Sequence, residues 1–421
     1  MSKFLHQCVL THATSKLRAG MNENLKIEHL KSHIDFNFDK NKDYFLYIHV
    51  PFCNEFCTFC SFHKQKYEKS ICKEYFKSLR DELKQAKSRG FSFNTLYVGG
   101  GTPFIDSDEL LKTIELAKKL FDIKDVSSES SPNHIDPKDI QRFSGVVDRL
   151  SVGVQTFDDE LLKKIGRYER YGSSKILQER LSNIAGILPI TSLDLIFNMP
   201  GQSSQTLLND IRIAKNLQVE QITTYPLMQS KLIGQSLKES FKTIKNSNEF
   251  EFYKIIRDEL KEYSMNNAWS FSKSSTKLSD EYTVSESEYI GIGSGAFTYI
   301  NNQLFINSYD INKYKSMIES GQNSIVAKCS RFTLKESAEY HFLLELFGGC
   351  VDISKFNETF KVYLEDTLRF EILALKLCGA VTIKDDKIQP TFFGEFLSAM
   401  LMKEFYMGMD NVRHTLREYY K

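Results

Sequence analysis

Residues 45–60 read Phe45-Leu46-Tyr47-Ile48-His49-Val50-Pro51-Phe52-Cys53-Asn54-Glu55-Phe56-Cys57-Thr58-Phe59-Cys60, and this stretch decides the fold. Phe45 to Val50 is a short run of aromatic and branched apolar residues, the composition of a buried strand. Pro51 ends the run, because it has no backbone N–H to give to a sheet. Three cysteines then fall within eight residues, spaced CxxxCxxC, in the loop that follows. Three thiolates on one tight loop can take three corners of a cubane iron–sulfur cluster, whereas electron-transfer clusters are commonly held by four. The iron left open is a place for chemistry. A structural zinc ion would need a fourth ligand, and His63, three residues past Cys60, keeps a Cys3His site among the readings. Chance clustering of buried cysteines is the blandest alternative.

The strand-then-turn pattern recurs along the chain. Thr95–Gly100 ends in Gly99-Gly100-Gly101-Thr102-Pro103, and Val126–Ser131 carries Glu129-Ser130-Ser131-Pro132 at its end. Arg149–Gln155, Thr191–Asn198 (closed by Met199-Pro200-Gly201) and Gln221–Leu227 complete six strands. Between them, apolar residues at helical spacing predict helices near 70–89, 107–121, 136–143, 160–166, 175–186 and 205–217. Strands alternating with helices imply parallel βαβ units. The turns rich in Gly, Pro and acids then share the carboxyl edge of the sheet, where such folds bind ligands.

After about residue 240 the rhythm changes. Residues 247–263 read as a charged helix, and Glu288–Tyr299 as a glycine-rich turn within apolar text. From Arg331 the chain is mainly helical, with a hairpin near Ala380–Gln389 tipped by Asp385-Asp386-Lys387. Helices followed by a small hairpin resemble a winged-helix module. Four regions are expected: a polar, helical or irregular lead-in (1–44), a core barrel (45–245), a barrel-edge extension (246–330) and a helical C-terminal domain (331–421).

Composition removes several classes. The 421 residues carry 55 basic and 54 acidic side chains, a net charge of +1, so no basic excess speaks for nucleic acid. With 41% hydrophobic and 13% aromatic residues the chain is not a disordered polyelectrolyte. Eight cysteines are too sparse for a disulfide scaffold. No apolar run reaches 18 residues and no signal-peptide pattern opens the chain, so no membrane span and a cytoplasmic location are expected.

Taken together, the motifs carry a resemblance. CxxxCxxC after the first strand of a βα repeat resembles the radical S-adenosylmethionine superfamily. Tyr47-Ile48-His49-Val50-Pro51-Phe52-Cys53, Gly99-Gly100-Gly101-Thr102-Pro103, Ser151-Val152-Gly153-Val154-Gln155-Thr156-Phe157, Asp194-Leu195-Ile196 and Pro200-Gly201-Gln202 together resemble the oxygen-independent coproporphyrinogen III oxidase (coproporphyrinogen dehydrogenase) and haem chaperone family. That group also contains anaerobic haem-degrading methyltransferases. The likeness covers roughly residues 44 to 421.

The resemblance implies an α/β fold: a partial (β/α)6 radical SAM barrel with a mainly helical, winged-helix-like C-terminal domain. It implies a [4Fe-4S] cluster on Cys53, Cys57 and Cys60, and S-adenosyl-L-methionine held by Tyr47, Phe59, Gly100, Gly101, Thr102, Glu129, Gln155, Arg167 and Asp194. The expected activity is that of an oxidoreductase: oxidative decarboxylation of porphyrinogen propionates through a 5′-deoxyadenosyl radical, fed by a low-potential electron donor. A haem-binding chaperone that keeps the cluster, and a haem-degrading methyltransferase, are the alternatives. Arg167, Arg170 and Lys273 are candidate propionate anchors. His341, His414 and the N-terminal His6, His12, His29 and His33 are candidate axial haem ligands. Tyr225 and Gly291–Ala296 match weaker family features near the active site. Two departures stand out. The oxidases carry a further cysteine just after the trio, where this chain has Ser61-Phe62-His63; the chaperones' C-terminal His-Asn and Tyr-Trp signature is also missing, since Trp269 is the one tryptophan.

Overall fold

In a computed structural model, residues 3–32, 34–35, 37–242, 248–274 and 288–420 are described; His33 and residue 247, the expected start of the charged helix, lie outside them. Six strands form the centre: β1 (Asp43–Val50), β2 (Ser92–Gly100), β3 (Asp125–Ser130), β4 (Arg149–Gln155), β5 (Ile190–Phe197) and β6 (Gln221–Pro226). They lie side by side in chain order, and every neighbouring pair is parallel. Leu46, Ile48, Val50, Leu96, Val98, Leu150, Val152, Leu193 and Leu195 are essentially inaccessible. They alternate with Tyr47, Tyr97, Ser151 and Asp194, so one face of the sheet is apolar and the other polar.

The crossover helices are Lys69–Arg89, Ser107–Leu120, Pro137–Gln141, Asp159–Lys164, Ser174–Ile184 and Ser204–Asn216, with a short turn Tyr168–Tyr171 before the fifth. Their starts are written locally. Asp106 accepts from the Glu109 N–H, Asp158 from Leu161 and Ser203 from Thr206, each satisfying a first-turn donor. This is the expected partial (β/α)6 barrel.

The sheet continues past the barrel on both sides to thirteen strands. Beyond β6 come Ser270–Ser272 and Ser264–Asn267, both antiparallel. Beyond β1 comes Tyr289–Ile292, parallel to it, then Phe297–Ile300, Gln303–Asn307 and Ile325–Cys329. The glycine-rich stretch at 291–296 is thus the end of one strand and its turn into the next. The last edge is Ile27–His29, from the lead-in. The lead-in is therefore more structured than its polar text suggests. Its helix Lys3–Asn24 packs on the terminal helix Phe392–Tyr419, and Arg18 forks onto both carboxylate oxygens of Glu404.

The C-terminal region has helices Leu334–Phe347, Ile353–Phe360 and Arg369–Leu377, and a three-stranded sheet of Val351–Asp352, Lys387–Pro390 and Val381–Lys384. Asp385 and Asp386, both at positive φ, form the hairpin tip, as two-residue hairpins require. The order of helices and hairpin is winged-helix-like.

Candidate active site

The cysteine loop leaves the carboxyl end of β1 and is held from three directions. Lys64 Nζ donates to the Cys60 carbonyl at 2.8 Å. Arg170 donates to the Phe56 carbonyl at 2.9 Å and pairs with Glu55 at 2.9 Å. Arg417, from the terminal helix, donates to the carbonyls of Ser61 (2.8 Å) and Phe62. Burial pushes the Cys53 thiol up to about 12, with the neighbouring Cys60 and Cys57 adding to it. Burial opposes ionisation of Cys57 too, but Arg167, Arg170 and Lys64 outweigh it and hold that thiol below its ordinary value.

His63 takes no part in this loop's thiol set. Its Nε2 lies 3.2 Å from Ser294 Oγ, and its ring packs 4.4 Å from that of Tyr309. Among the described residues no three His, Cys, Asp or Glu side chains are gathered around a single point that would hold one ion. A tetrahedral zinc needs its ligands converged at ~2.0–2.3 Å; a cubane takes its thiolates at separate corners. Three thiols on one loop suit a three-cysteine cluster, and with the His63 ring engaged by Ser294 and Tyr309 the Cys3His reading is set aside.

The next strand ends meet beside the loop. Glu129, on β3, accepts from the Tyr97 hydroxyl at 2.7 Å and from the Gly100 N–H at 3.2 Å. Burial raises its carboxyl to about 7, and the nearby Asp194 adds to the rise. Asp194, on β5, accepts from Ser151 Oγ at 2.8 Å. Gln155 closes β4 with φ 79, a left-handed conformation that costs a non-glycine residue about 1–3 kcal/mol. Arg167 is buried, donates to the carbonyls of Gly153 and Val154, and stacks 5.5 Å from Phe59; its Nε has no partner. Thr102 Oγ1 sits 3.8 Å from Cys53 Sγ. A Cβ on Gly101 would fall 2.6 Å from the Phe52 carbonyl oxygen, so only glycine lets β2 close on the start of the loop. A small cradle of backbone, one half-buried carboxylate and one buried cation thus lies beside the cysteine loop, which suits an amino-acid-bearing cofactor.

Tyr47 completes the edge in a way the sequence did not disclose. Its hydroxyl is 2.9 Å from His49 Nδ1, while His49 Nε2 is 2.9 Å from the His63 carbonyl. A carbonyl only accepts, so His49 carries its proton on Nε2, and its Nδ1 accepts a hydrogen bond from the Tyr47 hydroxyl. Burial lowers the His49 pKa to about 4, keeping it neutral.

The chain matches the Radical SAM superfamily profile over residues 47–214. It is 30% identical over 289 residues to the heme chaperone HemW of Bacillus subtilis (strain 168), covering 65% of this chain and 75% of that one. The chain belongs to the radical SAM superfamily, in the family of HemN and HemW. As a radical SAM protein it works with a [4Fe-4S] cluster and S-adenosylmethionine. It is also 26% identical over 404 residues to the oxygen-independent coproporphyrinogen III oxidase of Helicobacter pylori (strain ATCC 700392 / 26695), over 89% of this chain and 81% of that one. The solved Escherichia coli coproporphyrinogen III oxidase (HemN) superposes with a TM-score of 0.71 over 86% of this chain and 90% of its own; at 18% identity that likeness is one of fold. Among the described residues no helix is long and apolar enough to cross a membrane.

Several other candidates of this radical SAM chain lie elsewhere. Lys273 is a correction: its N–H bonds the Glu220 carbonyl beside the amino end of β6, at the opposite edge of the sheet. The strand after it runs antiparallel, and that reversal carries Lys273 away from the mouth. His341 is buried with its ring stacked 4.1 Å from Phe360, and burial drops its pKa to about 3. His6 stacks on Phe393 and His29 on Tyr419. His12 is exposed. His414 sits on the terminal helix, and Tyr225 packs edge-on to Trp269.

Next to the cysteine loop is a cavity of about 130 Å³. Tyr47 and His49 of β1, Phe62 and His63 of the loop, Tyr340 of Leu334–Phe347 and Phe405 of the terminal helix form its walls. Its one cationic lining residue, Arg413, is tied to Asp410 at 2.7 Å and lies over the Phe62 ring.

Proposed function

We propose that this protein is a haem-carrying member of the family, with the aromatic cavity beside the cysteine loop forming one wall of the haem site. The cavity carries the reading. Its walls are aromatic, its imidazoles are neutral, and its single cation is already balanced by Asp410. A porphyrinogen bearing four propionates would need more free cations at the mouth than haem, which bears two. Arg170 is spent on the cysteine loop, Arg167 is buried against the Gly153 and Val154 carbonyls of β4, and Lys273 is at the far edge. The Bacillus subtilis relative, named a heme chaperone, supports the same choice.

The strand-end residues expected to hold the cofactor lie together beside the cysteine loop, which supports oxidative decarboxylation as the second reading. Cys53, Cys57 and Cys60 would hold the cluster, and its chemistry when bound is one-electron cleavage of S-adenosylmethionine, driven by a low-potential donor. Glu129, ionised, would take the cofactor's ammonium group, and the Gly100–Thr102 backbone its carboxylate end. Gln155 and Asp194 would bond the ribose, Phe59 would lie against the adenine, and Arg167 would fix Phe59 from behind. Tyr47, its hydroxyl donating to His49, would offer a lone pair to the cofactor's donors.

The test is anaerobic reconstitution of the chain with iron, sulfide and S-adenosylmethionine, followed by haem or coproporphyrinogen III with a reductant. Stoichiometric haem binding with no tetrapyrrole product is expected. Protoporphyrinogen formation would establish the oxidase instead, and a linear tetrapyrrole the methyltransferase. Absence of haem binding would end the proposal.

A further inference from the structure

We propose that Arg170 raises the reduction potential of the cluster by presenting an N–H to the Cys57 sulfur. The assignment rests on Cys57 being a cluster ligand, and not on which tetrapyrrole the protein takes. Three nitrogens of one guanidinium meet three consecutive residues of the cysteine loop. Nε donates to the Glu55 carboxylate at 2.9 Å and Nη2 to the Phe56 carbonyl at 2.9 Å, while Nη1 stands 3.8 Å from Cys57 Sγ. A guanidinium is planar, and its N–H groups diverge in a fixed fork. The two oxygen contacts therefore set where the third N–H points, and it points at sulfur.

The side chain is also anchored at its base. It rises from the turn Tyr168–Tyr171, where Asn133 Nδ2 donates to the Arg170 carbonyl at 2.7 Å and Arg180 to the Tyr171 carbonyl at 3.0 Å. Gly166 gives it room, since a Cβ there would fall 3.2 Å from Arg170 Nη2. Only 14% of the Arg170 side chain is exposed, so water and salt screen its charge less than that of a surface cation. Arg167 and Lys64 add to the positive field at Cys57. Cys53 has the neutral Thr102 hydroxyl at 3.8 Å instead. The corners are thus unequal, and Cys57 is a cationic one. Hydrogen bonds to cluster sulfurs, and positive charge beside them, favour the form that holds one more electron. The step concerned adds one electron to the cluster, from the 2+ to the 1+ state, with no bond made or broken at Arg170; dithionite supplies that electron in the test.

The test is a dye-mediated redox titration of the anaerobically reconstituted chain, read by electron paramagnetic resonance of the reduced cluster, with iron per chain measured alongside. In Arg170→Gln the ratio of reduced to oxidised cluster at a fixed potential should fall about tenfold, a midpoint about 59 mV lower for a one-electron couple, at wild-type iron content. Arg170→Lys, which keeps the charge but not the fork, should lie between that variant and the wild type. Glu55→Gln separates charge from clamping. It removes the acid that offsets the guanidinium and should move the midpoint upward, whereas loss of a mere loop clamp would move it the same way as Arg170→Gln. A midpoint in Arg170→Gln equal to or above the wild type overturns the proposal, and so does a Glu55→Gln midpoint that falls with it. If Arg170→Gln takes up no iron, Arg170→Lys and Glu55→Gln decide by the same signs. A Cys57→Ala chain that keeps the wild-type cluster signal overturns instead the ligand set beneath the proposal.

Discussion

Replacing Glu129 with glutamine should uncouple S-adenosylmethionine binding from pH. The half-buried Glu129 carboxyl is raised from 4.5 to about 7, chiefly by loss of solvent. Only its ionised form attracts an ammonium group, so protons compete with the cofactor. With that pKa about nine-tenths of the protein is competent at pH 8 and about one-tenth at pH 6, which predicts an affinity about tenfold weaker at the lower pH. Binding near pH 7 should release about half a proton per cofactor. Stability runs the other way. The folded state holds this proton more tightly than the unfolded chain does, so the group's contribution is full below 4.5 and is lost as pH rises through 7. That loss is on the order of 3 kcal/mol, and Glu129→Gln should recover much of it at pH 8. Calorimetric titration of reconstituted wild type and variant at pH 6, 7 and 8, in buffers of different ionisation enthalpy, reads both affinity and proton release. A wild-type affinity that is flat over this range, or a variant that keeps the wild-type slope, refutes the reasoning.

Gly101→Ala should cost about 1–3 kcal/mol by overpacking, because the new methyl meets backbone rather than a movable side chain: the Phe52 oxygen at 2.6 Å and the Pro51 carbonyl carbon at 2.9 Å. Iron per chain after reconstitution should fall with the melting temperature, since Cys53 follows directly; wild-type values of both would count against the close-approach argument. His341→Leu should relieve acid sensitivity. Its pKa is lowered to about 3, first by burial and then by Lys42, so the neutral form's contribution is present above 6.5 and is lost as pH falls toward 3. Between pH 7 and 5 that is on the order of 2 kcal/mol. The gap in urea stability between variant and wild type should widen by that amount at pH 5, and a constant gap would contradict it.

The barrel was legible because its signals are local. Arg149–Gln155 is the strand its alternation predicts, and Lys69–Arg89 begins one residue from the expected helix. Glycine, proline and acid turns mark the carboxyl ends of the strands for the same reason, since each sits directly after its strand. What the sequence hid depends on distant pairing. The flanking strands are three to five residues long, too short for periodicity to mark, and Ile27–His29 gains its identity only by pairing with Ile325–Cys329. His63 read as a zinc candidate because Cys60 is three residues away. Its actual partner, Ser294, is 231 residues away. Arg417 carried no signal at all, since its acceptors are carbonyls 355 and 356 residues earlier.

That last contact changes the meaning of Ser61-Phe62-His63, the stretch that departs from the oxidases. Arg417 holds the carbonyls of Ser61 and Phe62, Arg413 lies over the Phe62 ring at 4.8 Å, and His63 turns its ring into the cavity wall. The residues that follow Cys60 are thus the partition between cysteine loop and cavity, and the terminal helix clamps that partition. The same helix supplies Phe405, Tyr406 and Met409 to the cavity, and Arg18 of the first helix braces it through Glu404. A ligand that displaces those side chains pushes on the helix that fixes the loop one residue from Cys60. Cavity and cluster environment therefore share one mechanical support. A barrel stripped of residues 392–420 would lose a cavity wall and a loop clamp together, so the site exists as a unit only with both ends of the chain in place.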